Sequence, residues 1–188
     1  MPDWKLPITT PRLVLRDFVE EDWRSVHEYG SDPEVVRFMP WGPNTEEDTR
    51  AFVARALSAR QEKPRRTFEL AVTLGESGGL IGGCGIRVSR PTDLGADMGY
   101  CLRRDCWGRG YGTELSLAIV GFGFEELGLH RIIATCDPDN VASVRVLEKT
   151  GMKREATLRE DSRIRGVWRD SYLYAILESE WTPSRGDA

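Results

Sequence analysis

Apolar and polar residues alternate in several short runs of the chain, the pattern of strands that bury one face. The first run covers residues 12–18. Residues 67–74 and 80–88 flank a Gly-Glu-Ser-Gly-Gly segment typical of a hairpin. The remaining runs predict four further strands, at residues 96–102, 131–136, 152–158 and 168–177. We therefore expect a sheet of about seven strands.

Four other segments carry apolar residues at helical spacing. The first two begin with acidic residues at 20–22 and 46–48, which suit the positive end of a helix dipole, and Asn44 and Thr45 are candidate caps of the second. The third helix follows a glycine-rich segment, and the fourth follows an Asp-Pro-Asp-Asn turn. The four helices are expected to end near or before Gly30, Pro64, Gly128 and Gly151.

The order of these elements, β-α-α-β-β-β-α-β-α-β-β, predicts an α/β (α+β) fold. In such a fold a mixed central sheet is flanked on both faces by helices, here about four of them. A length of 188 residues fits one domain spanning residues 1–188.

Composition narrows the classes of function. With 26 basic and 30 acidic residues the net charge is −4, which argues against a nucleic-acid-binding protein. The longest strongly apolar stretch, residues 115–124, is too short to cross a bilayer, and residues 1–13 lack the apolar region of a signal peptide. We therefore expect a cytoplasmic protein without membrane contact. Four cysteines without a CxxC pair and only two histidines predict that no metal is bound.

The most informative segment is residues 103–113, Arg-Arg-Asp-Cys-Trp-Gly-Arg-Gly-Tyr-Gly-Thr, between the fourth predicted strand and the third helix. Three alternate glycines let the backbone approach a ligand closely and turn its N–H groups outward. Together with the positive end of the helix dipole, these groups predict a site for a phosphate or pyrophosphate. The segment lacks the lysine of the Walker pattern and the third glycine of the dinucleotide pattern GxGxxG.

This segment resembles the signature [Q/R]xxGx[G/A] of the GNAT superfamily of acetyl-CoA-dependent N-acetyltransferases. Gly110-Tyr111-Gly112 matches its end, and Trp107 replaces the leading Gln or Arg. The form WGxGYxTE is similar to enzymes of the RimJ/RimL type, which acetylate the N-termini of ribosomal proteins. Three further segments are similar to the same enzymes: the opening TPRLVLR, the run DPDNVASVRVLEKTGM at residues 137–152 and the late WRDSYLYA. The resemblance covers residues 10–177, the expected core of the domain, and implies the GNAT fold.

The resemblance also implies how acetyl-CoA is held. The pyrophosphate would lie on the N–H groups of residues 107–113, and the pantetheine arm would pair with the backbone of the fourth predicted strand. The Leu102 N–H would polarise the thioester carbonyl and stabilise its oxyanion, and Asn140 would bind the arm from the other side. The expected cofactor-binding residues are Tyr100, Leu102, Arg103, Arg104, Trp107, Gly108, Arg109, Gly110, Tyr111, Gly112, Thr113, Asn140 and Ser143.

Acetyl transfer to an amine needs a proton source for the leaving thiolate and a base for the amine. The resemblance offers Ser143 for the first task, as an acid or as a hydrogen-bond donor to the sulfur. Two carboxylates are candidates for the second. Asp97 lies on the strand beside the thioester, and Glu160 lies in a segment that supplies a carboxylate in the ribosomal enzymes. Either could act through water, and Asp97 is favoured by its shorter reach.

The acceptor is left open by the sequence. The closest likeness is to enzymes that acetylate the N-terminal α-amine of a protein, by direct transfer in a ternary complex. A small-molecule amine, such as an antibiotic or a polyamine, is the first alternative, because the acceptor site is expected from residues 37–43 and the late strands. The second alternative is a CoA-binding sensor without turnover. The sequence does not fix the oligomeric state, and a homodimer is compatible with it.

Overall fold

One mixed sheet of eight strands organises the computed structural model, which describes residues 4–182. In chain order the strands are β1 (Ile8–Thr9), β2 (Leu13–Asp17), β3 (Thr67–Leu74), β4 (Leu80–Arg90), β5 (Gly95–Leu102), β6 (Arg131–Cys136), β7 (Lys153–Ile164) and β8 (Val167–Leu177). Across the sheet their order is β1-β2-β3-β4-β5-β6-β8-β7. Neighbours are antiparallel except β5 and β6, which are parallel. The expected mixed α/β fold is confirmed.

The α-helices in the described part of the chain are α1 (Trp23–Gly30), α2 (Glu46–Gln61), α3 (Tyr111–Glu125) and α4 (Val141–Lys149), as many as the sequence predicts. Thr45 caps α2, because its hydroxyl accepts a hydrogen bond from the Asp48 N–H and the Asp48 carboxylate accepts one from the Thr45 N–H. Asn44, the other candidate cap, instead donates its backbone N–H to the Gly30 carbonyl. No helix within residues 4–182 is long and apolar enough to span a bilayer.

Two strands differ from the sequence prediction, both at the edges of the sheet. The two-residue β1 was not predicted, because so short a strand shows no alternation. The strand expected at residues 152–158 runs on to Ile164 as β7. Its second half pairs with β8 after a bulge between Leu158 and Ser162. Most of its residues are exposed, so this edge strand lacks the apolar alternation that would have predicted its full length.

Apolar side chains fill both faces of the sheet, as expected. Leu70 belongs to the larger cluster on one face, where Ile119 of α3 packs. The next residue, Ala71, faces the other way and packs with Val26 of α1 and Val53 of α2. The helices therefore lie on both sides, and each sheet face between them carries its own core.

An opening forms inside the sheet where the two parallel strands separate. β5 and β6 pair at three positions only, from Gly95 opposite Arg131 to Asp97 opposite Ile133. Both strands continue beyond this point, β5 to Leu102 and β6 to its own last residue. Between their separated ends lies a gap that no strand fills, and this gap positions the candidate site.

The β4–β5 pairing beside the gap depends on glycine. A Cβ on Gly82 would lie 2.2 Å from the Cys101 carbonyl oxygen, whereas a Cβ on Gly99 would meet nothing within 4 Å. We expect Gly82→Ala to lower the free energy of unfolding by about 1–3 kcal/mol, the usual cost of overpacking. Gly99→Ala should leave it unchanged or raise it by about 0.5–1 kcal/mol, because alanine is better than glycine in a strand.

Urea denaturation of both variants checks this pair. Equal stability of the two proteins would contradict the tight β4–β5 contact.

Candidate active site

A cavity of about 1060 Å³ extends through the gap between β5 and β6. One end is lined by β3, β4, α1, α2 and residues 38–44, and the other by residues 134–137 and the first turns of α4. Of the residues predicted from the sequence, Asp97, Tyr100, Asn140 and Ser143 line it. The cavity is large enough for a drug-sized ligand. It connects the two faces of the sheet at one point.

Glycines form the floor of the cavity on the side of α1 and α2. Gly85 of β4 pairs directly with Gly99 of β5, and Gly83 lies two residues along on the same face. All three line the cavity. At Gly99, where a Cβ would meet nothing within 4 Å, a ligand can therefore approach the backbone of β5 closely from this face.

Glu69 projects over this floor. It pairs with Gly85 across the β3–β4 ladder, and its Oε2 lies 2.8 Å from the position that a Cβ on Gly85 would occupy. Adjacent strands are roughly 5 Å apart, so the carboxylate is about one strand spacing from Gly99. Glu69 lines the cavity, although the sequence analysis did not single it out. The available signal was its position, a lone charged residue in the apolar strand Thr-Phe-Glu-Leu-Ala-Val-Thr-Leu.

The environment of Glu69 suits a proton acceptor. Burial raises the pKa of Glu69, and the charges of Arg87 and Arg55 oppose this only in part. Within residues 4–182, no hydrogen-bond donor or cation lies in contact with its carboxylate. A half-buried, unpartnered carboxylate of raised pKa beside a cavity is characteristic of functional groups.

Asp97, the favoured base of the sequence analysis, has a different environment. It faces Arg87 directly across the β4–β5 ladder, and the Arg87 Nη2 lies 3.5 Å from the Asp97 Oδ2. Both residues line the cavity. The Asp97 carboxylate is therefore paired with the Arg87 guanidinium, whereas the Glu69 carboxylate is not paired with a guanidinium.

Glu160, the second candidate base, is not brought together with the other predicted residues. It lies exposed in the bulge of β7 with φ of +50°, and its N–H donates to the Asp170 Oδ1 at 2.9 Å. It is absent from the lining of the cavity. The structure thus gives no geometric support for Glu160 as a base.

The backbone of β5 is turned toward the gap at two predicted residues. The Arg103 N–H donates to the Ile81 carbonyl at 2.7 Å, which makes this a hydrogen-bonded pair. Bonded and non-bonded pairs alternate along an antiparallel ladder, so the backbone groups of Leu102 and Tyr100 point away from β4. They face the gap, beyond the last β5–β6 pair at Asp97.

Trp107 holds the end of this strand in place. Its indole Nε1 donates to the Leu102 carbonyl at 2.8 Å, while its ring is 47% exposed. Trp107 is therefore not a core residue. Because Trp107 already binds the Leu102 carbonyl, the backbone group of Leu102 that remains available to a ligand is its N–H.

Ser143 lies at the opposite wall of the gap. Asn140 caps α4, its Oδ1 accepting a hydrogen bond from the Ser143 N–H at 3.2 Å, so its amide N–H₂ is available to a ligand. The Ser143 hydroxyl is next to the Tyr100 phenol. Burial raises the pKa of Tyr100 to about 12, and hydrogen bonding with Ser143 opposes this shift. Tyr100 is thus a neutral donor near physiological pH.

The glycine-rich turn leaves the start of α3 open. Gly108 and Gly110 have φ of +73° and +81°, left-handed values that favour glycine, and no side chain caps the helix. The first N–H bonded within α3 is that of Glu114, to the Gly110 carbonyl. The N–H groups of residues 111–113 therefore point out of the helix end, where they can bind an anion.

Packing brings this helix end to the gap. A Cβ on Gly112 would lie 3.2 Å from the Val146 Cγ2 and 3.5 Å from the Tyr100 Cε2. The start of α3 therefore rests directly on β5 and α4. Tyr100 thus contacts the start of α3 and also lines the cavity.

Comparison with known sequences decides the family. The sequence model described as "Acetyltransferase (GNAT) domain" matches residues 12–153. The chain belongs to the GNAT acetyltransferase family. It is 39% identical over 174 residues to an uncharacterised N-acetyltransferase, YnaD of Bacillus subtilis, covering 93% of this chain and 98% of that protein. A crystal structure of a GNAT-family acetyltransferase from Bacillus anthracis is 37% identical, with a TM-score of 0.82 over 92% of this chain and 99% of that chain.

The likeness to ribosomal-protein acetyltransferases is more distant. The chain is 27% identical over 187 residues to the ribosomal protein uS5-alanine N-acetyltransferase of Escherichia coli, covering 96% of this chain and 95% of that protein. GNAT acetyltransferases use acetyl-CoA, and the residues found here fit this group. They supply an open helix end, left-handed glycines and a strand edge turned toward a gap. No group of three potential metal ligands was found within residues 4–182.

Thr10 and Arg12, which lie between β1 and β2, hold the glycine-rich turn of this acetyltransferase. We name these two residues the strap. The Arg12 Nη1 donates to the Arg109 carbonyl at 2.9 Å, and its Nε donates to the Glu114 Oε2 at 2.7 Å. The Thr10 hydroxyl donates to the Glu114 Oε1 at 2.6 Å, and the guanidinium of Arg12 stacks on the Tyr111 ring. The conspicuous sequence segments TPRLVLR and WGRGYGTE therefore meet through these side chains.

The strap also neutralises the carboxylate of Glu114 in the first turn of α3. Burial raises the pKa of Glu114, but hydrogen bonds from Thr10 and Arg12 and the charge of Arg12 outweigh burial and lower it overall. Because the folded-state pKa is lowered, this stabilisation is present at neutral pH and is lost as the pH falls through that pKa. The helix end thus keeps its positive character although an acidic residue lies in its first turn.

The three predicted arginines of the turn differ in availability. The Arg103 guanidinium is engaged by Asp105, and its Nη1 lies 3.3 Å from the Glu28 Oε2. Arg104 and Arg109 form no ion pair with any residue of the described chain. Their charges are therefore available to an anionic ligand.

Cys101 is one of three cysteines that line the cavity, with Cys84 and Cys136, and its environment disfavours covalent chemistry. It lies on the floor of the cavity beside Gly83. Burial raises the pKa of Cys101 to about 12. Since the nucleophile would be the thiolate, the thiol is inert near neutral pH.

Loss of the strap should weaken cosubstrate binding specifically. We expect Arg12→Met to raise the KM for acetyl-CoA about tenfold, because the open helix end and the Arg109 carbonyl lose their fixed geometry. S-acetyl-pantetheine lacks the pyrophosphate, so its kcat/KM should change little.

Arg16→Met is the matched control, because Arg16 lies four residues further along, in β2, and pairs with Asp22 away from the turn. An equal loss with both thioester substrates, or an equal effect of the control, would contradict the assignment.

Proposed function

We propose that this acetyltransferase moves the acetyl group of acetyl-CoA directly to the N-terminal α-amine of a protein or peptide. The observation that carries the proposal is the single cavity of about 1060 Å³. It joins the backbone of β5 at the gap to a glycine floor overhung by Glu69. A thioester and an amine can reach the same point from opposite faces of the sheet, as direct transfer requires.

The residues at one end are assigned to acetyl-CoA, which supplies the activated acetyl group. The open end of α3, residues 107–113, binds the pyrophosphate, with Arg104 and Arg109 adding charge. The backbone of Tyr100 and the Asn140 amide hold the pantetheine arm. The Leu102 N–H donates to the thioester carbonyl, where it stabilises negative charge as the amine attacks.

Glu69 is assigned as the base, in place of the favoured Asp97. An amine is largely protonated at neutral pH, so attack requires that a proton leave the nitrogen. Glu69 is unpaired, and its pKa is raised by burial, which makes it a better proton acceptor. Asp97 is engaged by Arg87. The amine proton passes to the Glu69 carboxylate directly or through one water molecule.

Ser143 serves the leaving group. As the new C–N bond forms and the C–S bond breaks, the sulfur gains a negative charge and must receive a hydrogen bond or a proton. The Ser143 hydroxyl lies at the cavity wall next to the Tyr100 phenol, which keeps its proton because its pKa is raised to about 12. The Ser143 hydroxyl therefore donates a hydrogen bond to the sulfur, and the neutral Tyr100 phenol lies beside that hydroxyl.

The acceptor class is assigned from the similarity to the ribosomal protein uS5-alanine N-acetyltransferase of Escherichia coli. That protein acetylates an alanine of ribosomal protein uS5, and the present chain matches it over nearly its whole length. The four sequence segments of the ribosomal type support the same class of acceptor.

Three probes test the acceptor: a peptide with a free N-terminal alanine, the same peptide with a blocked N-terminus and an internal lysine, and spermidine. We expect CoA release with the first, and mass spectrometry should find the acetyl group on its first residue. Turnover with only the second or third would contradict an N-terminal acceptor. Absence of CoA release with every amine would contradict acetyl transfer and favour a CoA-binding sensor.

Replacing the base should affect turnover in a pH-dependent way. We expect Glu69→Gln to lower kcat at pH 7 by about 100-fold or more, with partial recovery toward pH 10 as the amine loses its proton in solution. The wild-type kcat should fall as acid protonates the carboxylate, at a pH above the ordinary range of glutamate because the pKa is raised. Since an ionised Glu69 costs stability above that pKa, the variant should melt no lower than wild type at pH 7.

Asp97→Asn and Glu160→Gln are the matched controls, and both should lose less activity than Glu69→Gln. A larger loss in Asp97→Asn would return the role of base to Asp97.

A further inference from the structure

Arg165, at the tip of the β7–β8 hairpin, reaches across to the loop between α1 and α2. Its Nη1 lies 3.2 Å from the Gly42 carbonyl oxygen, and its Nη2 donates to the Val36 carbonyl at 3.0 Å and to the Arg37 carbonyl. These contacts join parts of the chain more than 120 residues apart. One guanidinium thus holds two ends of the same short loop.

The loop that Arg165 holds forms part of the cavity wall. Phe38, Met39 and Trp41 lie between the bonded carbonyls and line the cavity at the end occupied by Glu69. We name residues 36–42 the acceptor loop. Because the loop is bonded near its beginning and at its end, the positions of these three side chains depend on Arg165. No residue of the hairpin itself lines the cavity, so Arg165 acts only through the loop.

The backbone conformation of Arg165 is strained, which indicates that its contacts with the acceptor loop outweigh a conformational cost at this residue. Its φ is +47°, a left-handed value that few residues other than glycine adopt. Gly166 beside it has φ of +86°, so the two residues form the tight turn of the hairpin. An arginine in such a position persists when its side-chain contacts outweigh the strain.

The geometry also requires a guanidinium. The recorded partners of Arg165 are backbone carbonyls, and no carboxylate of the described residues pairs with it. Carbonyl oxygens at separate positions suit the five N–H donors that arginine holds in a rigid planar fork, whereas the three donors of lysine sit on one compact ammonium at the end of a flexible stem. The charge of Arg165 is therefore used for hydrogen bonding to the loop rather than for an ion pair.

We propose that Arg165 is a positioning residue for the acceptor: by holding the acceptor loop, it sets the affinity of the enzyme for its amine substrate and leaves cosubstrate binding untouched. This rests on the proposed function, which assigns this end of the cavity to the acceptor. The loop would otherwise have to be ordered by the acceptor itself, at the expense of binding affinity.

The decisive variant is Arg165→Gly, because glycine accepts the left-handed backbone without strain and the hairpin turn should survive. With the N-terminal alanine peptide as acceptor, we expect its KM to rise about tenfold, a loss comparable to ordering a few side chains on binding. The KM for acetyl-CoA should stay within about twofold of wild type. Arg165→Lys should resemble Arg165→Gly.

Arg163→Ala is the matched control. Arg163 lies in the same hairpin, stacks on Trp168 and donates to the Gly166 carbonyl, but does not contact the acceptor loop. Amide hydrogen exchange is the second readout. Exchange across residues 36–42 should become faster in Arg165→Gly and remain at the wild-type rate in Arg163→Ala.

The two readouts separate the possible failures. Unchanged exchange in Arg165→Gly would overturn the holding of the loop. Faster exchange with an unchanged KM for the peptide, or an equal rise in the KM for acetyl-CoA, would overturn the link to the acceptor. If the wild type acetylates none of the amine probes, the proposed function fails, and hydrogen exchange still decides whether Arg165 holds the loop.

Discussion

The site depends on the separation of β5 from β6 after Asp97. A backbone group that leaves a ladder must find another partner or remain in water. The Leu102 carbonyl finds one in the Trp107 indole, whereas the N–H groups of Leu102 and Tyr100 are turned to the gap. An extended ligand can therefore join β5 as an added strand. Because residues from both faces of the sheet line the cavity, a second ligand can approach the same backbone from the other side.

Two loops near this gap lie outside the sheet, and each is held by an arginine from a distant part of the chain. Arg12, beside the N-terminal strand β2, holds the glycine-rich turn through the Arg109 carbonyl and Glu114. Arg165, in the last hairpin, holds the acceptor loop through carbonyls alone. In each case a planar group with several donors in a fixed arrangement joins separate oxygen atoms, whereas an ammonium on a flexible stem would hold them less rigidly. The first and last strands thus determine the geometry of loops from the middle of the chain.

Local patterns predicted most of the fold and the glycine-rich turn before α3, whose role in binding acetyl-CoA stays a prediction. The strands at 67–74 and 131–136 and the Thr45 cap are confirmed because alternation and capping act within a few residues. The glycines of the turn were recognisable for the same reason. Glu69 was not recognised, because its role depends on Gly85 and Gly99 in neighbouring strands. Residue spacing within β3 carries no information about those partners.

Glu69 lowers the stability of the fold, and the same feature, an unpaired carboxylate, suits the role proposed for it. A half-buried carboxylate without a partner destabilises a central strand, and the simplest remedy would be an ion pair with Arg87. Arg87 instead pairs with Asp97, its direct neighbour across the β4–β5 ladder, and acts on Glu69 only from a distance. Asp97 therefore has a role even if it never accepts a proton. By pairing with Arg87, Asp97 leaves the Glu69 carboxylate without an ion-pair partner, as the role proposed for Glu69 requires, and the fold bears the energetic cost of that unpaired group.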